Sequence, residues 1–283
     1  MLNIAERTAQ PGLIRGPVNL AYAFVERQTN LWKRYWAWEL VWLVYGVVNT
    51  LAITFIAEEA EQAGIATNAQ SLVLFLLLGT LVWAYLSAVL DDISLVITWE
   101  RWEGTIEHTL MAPVSRAVHL IGMSVFGVLH AIVRTLLIFA IAVPFFSVEL
   151  GQADWFAAAV VILVGSIPVA GLGILTGVLP LLYPERGTQM SFMLQAVVLL
   201  ISGVYYSVDV LPPWLRLFSH ISPATYFLDG IRGAIIDGKG VEDMLGTLAT
   251  LLLFGILMVP GGIAVFAVAE RWARKTGQLK RQG

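Results

Sequence analysis

The chemistry open to this chain lies in its few charged residues, and the densest group of them is short. From Trp99 to Arg116 the sequence reads Trp-Glu-Arg-Trp-Glu-Gly-Thr-Ile-Glu-His-Thr-Leu-Met-Ala-Pro-Val-Ser-Arg, between two long apolar runs. At about 100° per residue, Glu100, Glu103 and Glu107 fall within one narrow helical arc, and Trp99, Trp102, Ile106 and Leu110 form the neighbouring arc. This spacing predicts a short amphipathic helix with an acidic stripe. Its first acids complement the helix dipole, and Pro113 ends it. Such a helix either stabilises a helical hairpin as a solvated loop or serves as a docking knob for a soluble partner.

The remaining polar candidates offer binding rather than catalysis. Arg134 stands near the middle of an apolar run, one turn after His130. At that depth an arginine costs at least about 2.5–3.5 kcal/mol, so it needs a partner or water. No acid occurs at similar depth in any apolar run. Arg134 therefore either acts as structural glue, on backbone carbonyls or on polar groups such as Asn49 or Gln195, or faces a wet cavity and meets an anionic substrate. His130 reads as a packed polar residue. Asp91 and Asp92 read as a solvated helix end, with pairing to Arg186 or Arg116, or guidance of a cationic substrate, as alternatives. Cysteine is absent and His108, His119, His130 and His220 are scattered, so no disulfide, metal-ligand spacing or nucleophile triad is offered. The nearest approach to a phosphate-binding loop runs from Gly233 to Gly240. That loop needs Ser or Thr after its lysine to hold magnesium, and here Gly240 follows Lys239. No cofactor is expected on this chain.

The elements that must hold these residues are membrane helices. Hydrophobic residues make up 58% of the 283 and charged residues 13%, against about 45–50% and roughly 25% in soluble domains. Six runs reach the roughly 20 residues that a helical span requires: 38–57, 72–90, 118–146, 155–182, 190–208 and 245–269. The expected fold is all-α and integral to the membrane. Residues 1–37 form an N-terminal segment, 38–270 a six-span domain and 271–283 a basic tail. In the fourth run Pro168 and Pro180 predict kinks, and Gly171, Gly173 and Gly177 suit close helix packing.

Basic residues set the expected orientation. Arg7, Arg15, Arg27, Lys33 and Arg34 precede the first run, Arg271, Arg274, Lys275, Lys280 and Arg281 follow the last, and Arg101, Arg116 and Arg186 lie in two of the loops. The Glu58–Gln70 and Glu149–Asp154 stretches have none. The positive-inside rule then places both termini and the Trp99 loop in the cytoplasm and the Leu211–Asp243 loop outside. Residues 18–36 are too polar to span. Phe24, Val25, Leu31, Trp32, Tyr35 and Trp36 recur at helical spacing with Glu26, Arg27, Lys33 and Arg34 between them, which predicts an interfacial helix. It is either an anchor or a hinge and access platform for an amphipathic substrate. In residues 211–236, Pro212, Pro213 and Pro223 divide a moderately apolar stretch into two short helices. Backbone of that kind is tolerated at membrane depth only in contact with protein or a wet cavity. The stretch reads as an outer lid or as a static cap.

Two sets of residues carry a family resemblance. Glu100-Arg101, Gly104-Thr105, Glu107 and Ala112-Pro113-Val114-Ser115-Arg116 resemble the coupling-helix motif of type-2 ATP-binding-cassette (ABC) exporter permeases, in the same place between the second and third spans. Ser202-Gly203-Val204-Tyr205-Tyr206, Leu211-Pro212-Pro213-Trp214-Leu215, Ser222-Pro223-Ala224-Thr225-Tyr226 and Gly230-Ile231-Arg232 resemble that family's extracellular re-entrant hairpin. The one departure is the lack of a proline near Ser207 or Val208, which implies a local change in how the fifth span ends.

The resemblance implies a permease without its own ATPase site, in the plasma (inner) membrane of a prokaryote. It would pair with a second permease copy or a paralogue and with a separate nucleotide-binding subunit that holds ATP and magnesium. Glu100, Glu103, Gly104, Thr105 and Glu107 would meet that subunit, and Pro212, Pro213, Trp214, Pro223 and Tyr226 would form the outer gate. Phe55, Arg134, Phe192, Tyr205 and Tyr206 would line the substrate pathway, with plain packing as the alternative for the aromatics. The hairpin is most similar to the multidrug and antibiotic-resistance branch, which implies a hydrophobic or amphipathic substrate such as a drug or natural product. Membrane lipids are the other expected partner, and nucleic acid is not expected. Export of a lipid-linked polysaccharide or lipid is the alternative within the family. A non-transporting scaffold or a proton-coupled carrier is the alternative outside it, and a carrier would be expected to show acids at mid-membrane.

Overall fold

The structure, a computed structural model, describes residues 16–63, 69–112, 114–148 and 150–277. Arg7, Arg15, Pro113, Glu149, Lys280 and Arg281 lie outside them, as does the side chain of Glu107. Among the described residues the regular structure is all helical, with no strand. In chain order the helices are α1 (Pro17–Arg34), α2 (Trp36–Gln62), α3 (Ala69–Trp102), α4 (Ile106–Met111), α5 (Arg116–Phe145), α6 (Trp155–Leu182), α7 (Gly187–Ile201), α8 (Pro213–His220), α9 (Pro223–Ile235) and α10 (Leu245–Lys275). Short 3₁₀ turns at Val208–Val210 and Glu242–Met244 flank the α8–α9 pair.

Five stretches, all but the α7 run, are long and apolar enough to cross a bilayer. The expected fifth span differs. α7 has 15 residues, and at 1.5 Å per residue it rises roughly 22 Å, short of the ~30 Å hydrocarbon core. It ends at Ile201, and the chain turns through Gly203, which takes a φ of +69°. Polar Ser202 and the left-handed glycine stop the helix before the apolar pattern does.

The second span also differs in length. The apolar pattern stops near Leu90, but α3 continues as one helix to Trp102 and rises roughly 50 Å. Asp91 and Asp92 are therefore inside a helix and half-buried, rather than at a solvated end. From Glu39 to Ala60 and from Asp92 back to Ser71 each helix rises roughly 30 Å, about one hydrocarbon thickness. Glu39 and Asp92, which His130 joins, thus mark one end of the membrane-length part of α2 and α3. Beyond it, α3 and α5 project away from the bilayer and carry the 99–116 segment.

α6 is the hub of the bundle. Its small residues let other helices approach closely: a Cβ on Gly171 would lie 2.8 Å from the Met258 backbone of α10, and one on Gly173 would lie 2.5 Å from Ile93 of α3. Pro168 and Pro180 sit inside α6 without ending it. α1 packs along α5, where Gly122 lies against the Ala21 carbonyl and Phe24 meets His119 with ring centroids 4.7 Å apart. Tyr22, Tyr35 and Trp36 on the other side of this connection stay exposed, as an interfacial helix requires.

Candidate functional site

The segment between α3 and α5 is built on a helix stop. Gly104 takes a φ of +71°, the Gly104 N–H donates to the Arg101 carbonyl (3.2 Å), and the Thr105 N–H donates to the Glu100 carbonyl (2.9 Å). These two bonds and the left-handed glycine form a Schellman cap, which satisfies carbonyls that the helix end leaves open. The stretch is therefore two helices with a corner, and Glu100 and Glu103 do not share a continuous helical stripe with Glu107. Replacing Gly104 by alanine is expected to destabilise the chain by about 1–2 kcal/mol, because a Cβ is strained in this conformation. Thermal unfolding of the purified protein would show the loss as a melting point lower by a few degrees.

After the corner α4 turns its apolar side inward. Ile106 and Leu110 are buried, and Trp99, Trp102, Glu103, His108 and Met111 are exposed. The tryptophans pack edge to face, with centroids 5.8 Å apart. The four residues of the expected apolar arc are thus divided between core and surface.

Three polar ties hold the segment to the bundle. Glu100 is buried and accepts from Arg27 Nη1 of α1 (2.6 Å) and from the Thr109 hydroxyl (3.2 Å). Its expected role as an exposed contact is corrected: inward-facing Glu100 joins the interfacial helix to the loop. Arg101 donates to the Leu181 carbonyl at the C-terminal end of α6 (2.9 Å), where the helix dipole favours a cation. Arg116 donates to Glu270 of α10 (2.8 and 3.0 Å) and to the Leu110 carbonyl, which also accepts from Arg274 (2.8 Å). Arg274 pairs with Glu270 at 2.6 Å. Two arginines on one buried carboxylate close the end of α4, and Ser115 caps α5 by accepting from the Val118 N–H (3.3 Å). Sequence reasoning missed the Arg27–Glu100 and Arg116–Glu270–Arg274 contacts. Their separation in sequence carries no local signal.

A second polar group lies at the end of the membrane-length part of α2 and α3. His130 sits between Asp92 (Nδ1 to Oδ2, 2.7 Å) and Glu39 (Nε2 to Oε2, 3.2 Å), and Gln195 Nε2 donates to Asp91 Oδ1 (2.7 Å). His130 is thus part of a charged group that joins α2, α3 and α5. Arg134 Nη2 donates to the Trp42 carbonyl (3.1 Å), the backbone-carbonyl form of structural glue, while Asn49 and Gln195 are not its partners. Arg134 lies about one turn further along α5 than His130.

On the opposite side, α8 and α9 form a helical pair started by prolines at their first positions, Pro213 and Pro223, with Pro212 before α8. Trp214 is exposed, and the Tyr226 hydroxyl donates to the His220 carbonyl (3.0 Å), closing the corner. α9 is embedded: Phe227, Leu228 and Ala234 are buried, and Phe227 stacks on Tyr85 of α3 (5.3 Å). Arg232 donates to the carbonyls of Gly203 (3.0 Å) and Val204 (2.7 Å) and lies 3.5 Å from the Phe75 ring, which ties α9 to the turn after α7.

The expected pathway residues are not gathered in one cavity. Phe55 packs on Phe145 and Phe146 (5.8 and 5.2 Å) between α2 and α5, and Phe192 is exposed on α7. Tyr205 is half-buried, and Tyr206 donates to the Leu200 carbonyl (2.5 Å).

Residues 19–236, which contain both the 99–116 segment and the α8–α9 pair, match the family described as ABC-2 type transporter. The chain is 24% identical over 185 residues to the inner membrane transport permease YadH of Escherichia coli (strain K12), an alignment that covers 65% of this chain and 68% of that protein. YadH of Shigella flexneri aligns over the same lengths. The linearmycin resistance permease protein LnrN of Bacillus subtilis (strain 168) is 25% identical over 108 residues, 38% of this chain and 28% of that protein. A multi-pass helical chain with a braced segment between its second and third long helices and this extent of family match belongs to the ABC-2 type transporter permeases, transmembrane subunits that work with a separate ATP-binding subunit.

Proposed function

We propose that this chain is the membrane half of an ATP-driven exporter and that the 99–116 segment receives the motion of the nucleotide-binding subunit. The carrying observation is its bracing. The same short segment is held by Arg27 of α1, by the end of α6 and by Glu270 of α10, so a push on it reaches three helices at once. The exposed Trp102, Glu103, His108 and Met111 supply an apolar and acidic surface beside Gly104 and Thr105, and Glu107 belongs to the same segment. The charge pattern supports a cytoplasmic location for this surface and both termini, with α8 and α9 on the outer side as the gate. ATP and magnesium would sit on the partner.

Exposed apolar residues on α2 and α7, among them Val44, Val48, Phe192 and Val197, suit contact with a second permease copy and leave a pathway between the two. Phe55, Tyr205 and Tyr206 would edge that pathway. The substrate class we favour is a hydrophobic or amphipathic compound, consistent with the resistance role in the name of LnrN. The test uses the permease reconstituted with its nucleotide-binding subunit. Glu107→Arg and Gly104→Trp are each expected to cut export at least tenfold while ATP hydrolysis persists. Full coupled export by both variants would overturn the docking role.

A further inference from the structure

At the Glu39 end of the membrane-length part of α2, helices α1, α2 and α5 enclose a cavity of about 220 Å³ lined in part by Trp32, Trp36, Glu39, His130 and Arg134. Its head end has hydrogen-bonding capacity that the chain does not use. Among the described residues, the Trp32 indole N–H and the Arg134 Nε–H are buried donors without a partner. A buried donor left unpaired costs about 1–3 kcal/mol, so a turn of either side chain that brings its N–H to an acceptor in the neighbouring cavity is favoured. Glu39 adds the opposite function. One of its oxygens faces His130, and its side chain keeps 28% of its exposure. The other wall is apolar, and Leu40, Val133 and Leu137 are about half exposed along the bilayer side of α2 and α5.

We propose that this cavity is a headgroup site for a zwitterionic phospholipid with a primary ammonium, of the phosphatidylethanolamine class, drawn from the leaflet on the side of the 99–116 segment. Its phosphate accepts from Arg134 and Trp32, and its ammonium donates to Glu39. The acyl chains leave over Leu40, Val133 and Leu137, because the cavity holds a headgroup and not a whole lipid. Depth agrees with this occupant: Glu39 lies about one hydrocarbon thickness from the far end of its apolar helix, where headgroups begin, and His130 is in contact with it. The charges facing the site choose among lipids. His130 is held between Glu39 and Asp92, Asp91 is held by Gln195, and among the described residues that line the cavity Arg134 is the cation without a carboxylate partner, so a headgroup with both signs fits better than a purely anionic one. The site depends on the membrane reading alone and stands apart from the direction and nature of transport.

The experiment is native mass spectrometry of the full chain released from vesicles of equal parts dioleoyl phosphatidylethanolamine, phosphatidylcholine and phosphatidylglycerol. Wild type is expected to retain phosphatidylethanolamine at least about tenfold over either competitor. Trp32→Phe removes only the N–H and is expected to lower that retention several-fold with an unchanged melting point, and Arg134→Met is expected to abolish it. Glu39→Gln is expected to erase the preference over phosphatidylcholine, whose quaternary ammonium has no proton to donate. Should Arg134→Met fail to fold, Trp32→Phe and Glu39→Gln decide. Equal retention of the three lipids, unchanged retention in Trp32→Phe and Glu39→Gln, or displacement of the lipid by inorganic phosphate would each overturn the proposal.

Discussion

Glu270→Ala is expected to destabilise the protein by about 3 kcal/mol and to abolish coupled export. The size follows from what the carboxylate holds. Glu270 is buried and accepts from both Arg116 and Arg274, and the same two arginines donate to the Leu110 carbonyl at the end of α4. Removing one partner of a buried pair leaves an uncompensated charge, which costs about 3–5 kcal/mol; the lower end applies because Arg274 is near the surface. The loss falls on the junction of α4, α5 and α10, so it loosens the far side of the 99–116 segment and leaves the Arg27–Glu100 side intact. Thermal unfolding in detergent and export by the reconstituted complex measure the two effects. Arg116→Ala with Glu270→Ala should cost less than the sum of the single changes, because the second mutation removes the orphaned charge. Additive losses would show that the pair is not coupled.

Gly165→Ala is expected to have the second large effect, on the outer side. A Cβ there would stand 2.1 Å from Cδ2 of Phe227 and 2.7 Å from its Cε2. The ring has no room to give. Phe227 is buried and stacked on Tyr85, and the Tyr85 hydroxyl lies 2.5 Å from Ser166 Oγ, next to the glycine itself. Overpacking of this kind costs about 1–3 kcal/mol, and the upper part of the range applies to a clash with a fixed ring. α9 must shift away from α6, and the Arg232 contacts to Gly203 and Val204 shift with it. Phe227→Leu alone should be destabilising, yet combined with Gly165→Ala it should restore a part of the lost stability. A double mutant no more stable than Gly165→Ala alone would argue against this packing account. Export should fall in Gly165→Ala if α8 and α9 gate the exit, and remain unchanged if they only cap it.

The long apolar helices were legible because a bilayer imposes a length and a composition that few other environments do. Helix α6 runs over the same residues, 155–182, as its apolar pattern. The pattern was misleading where helix and slab part company. α3 stays helical for about three turns past its apolar run, since the charged stretch from Asp91 to Trp102 contains no glycine or proline to stop it. α7 stops early, because Ser202 and Gly203 turn the chain inside a stretch that still reads as apolar.

By itself the sequence determined that this is a multi-pass membrane protein with a charged segment between its second and third long helices, and which family motifs that segment carries. Those properties reside in local composition and short-range order, which one strand of text records in full. Only the tertiary structure decided that Glu100 faces inward to Arg27, that Glu270 joins two arginines from more than one element, that His130 joins Glu39 to Asp92, and that Arg134 donates to the Trp42 carbonyl. Each of these depends on helix rotation and on the relative offset of helices along their axes. Close packing at glycines such as Gly122, Gly165 and Gly171 sets both, and periodicity leaves both free.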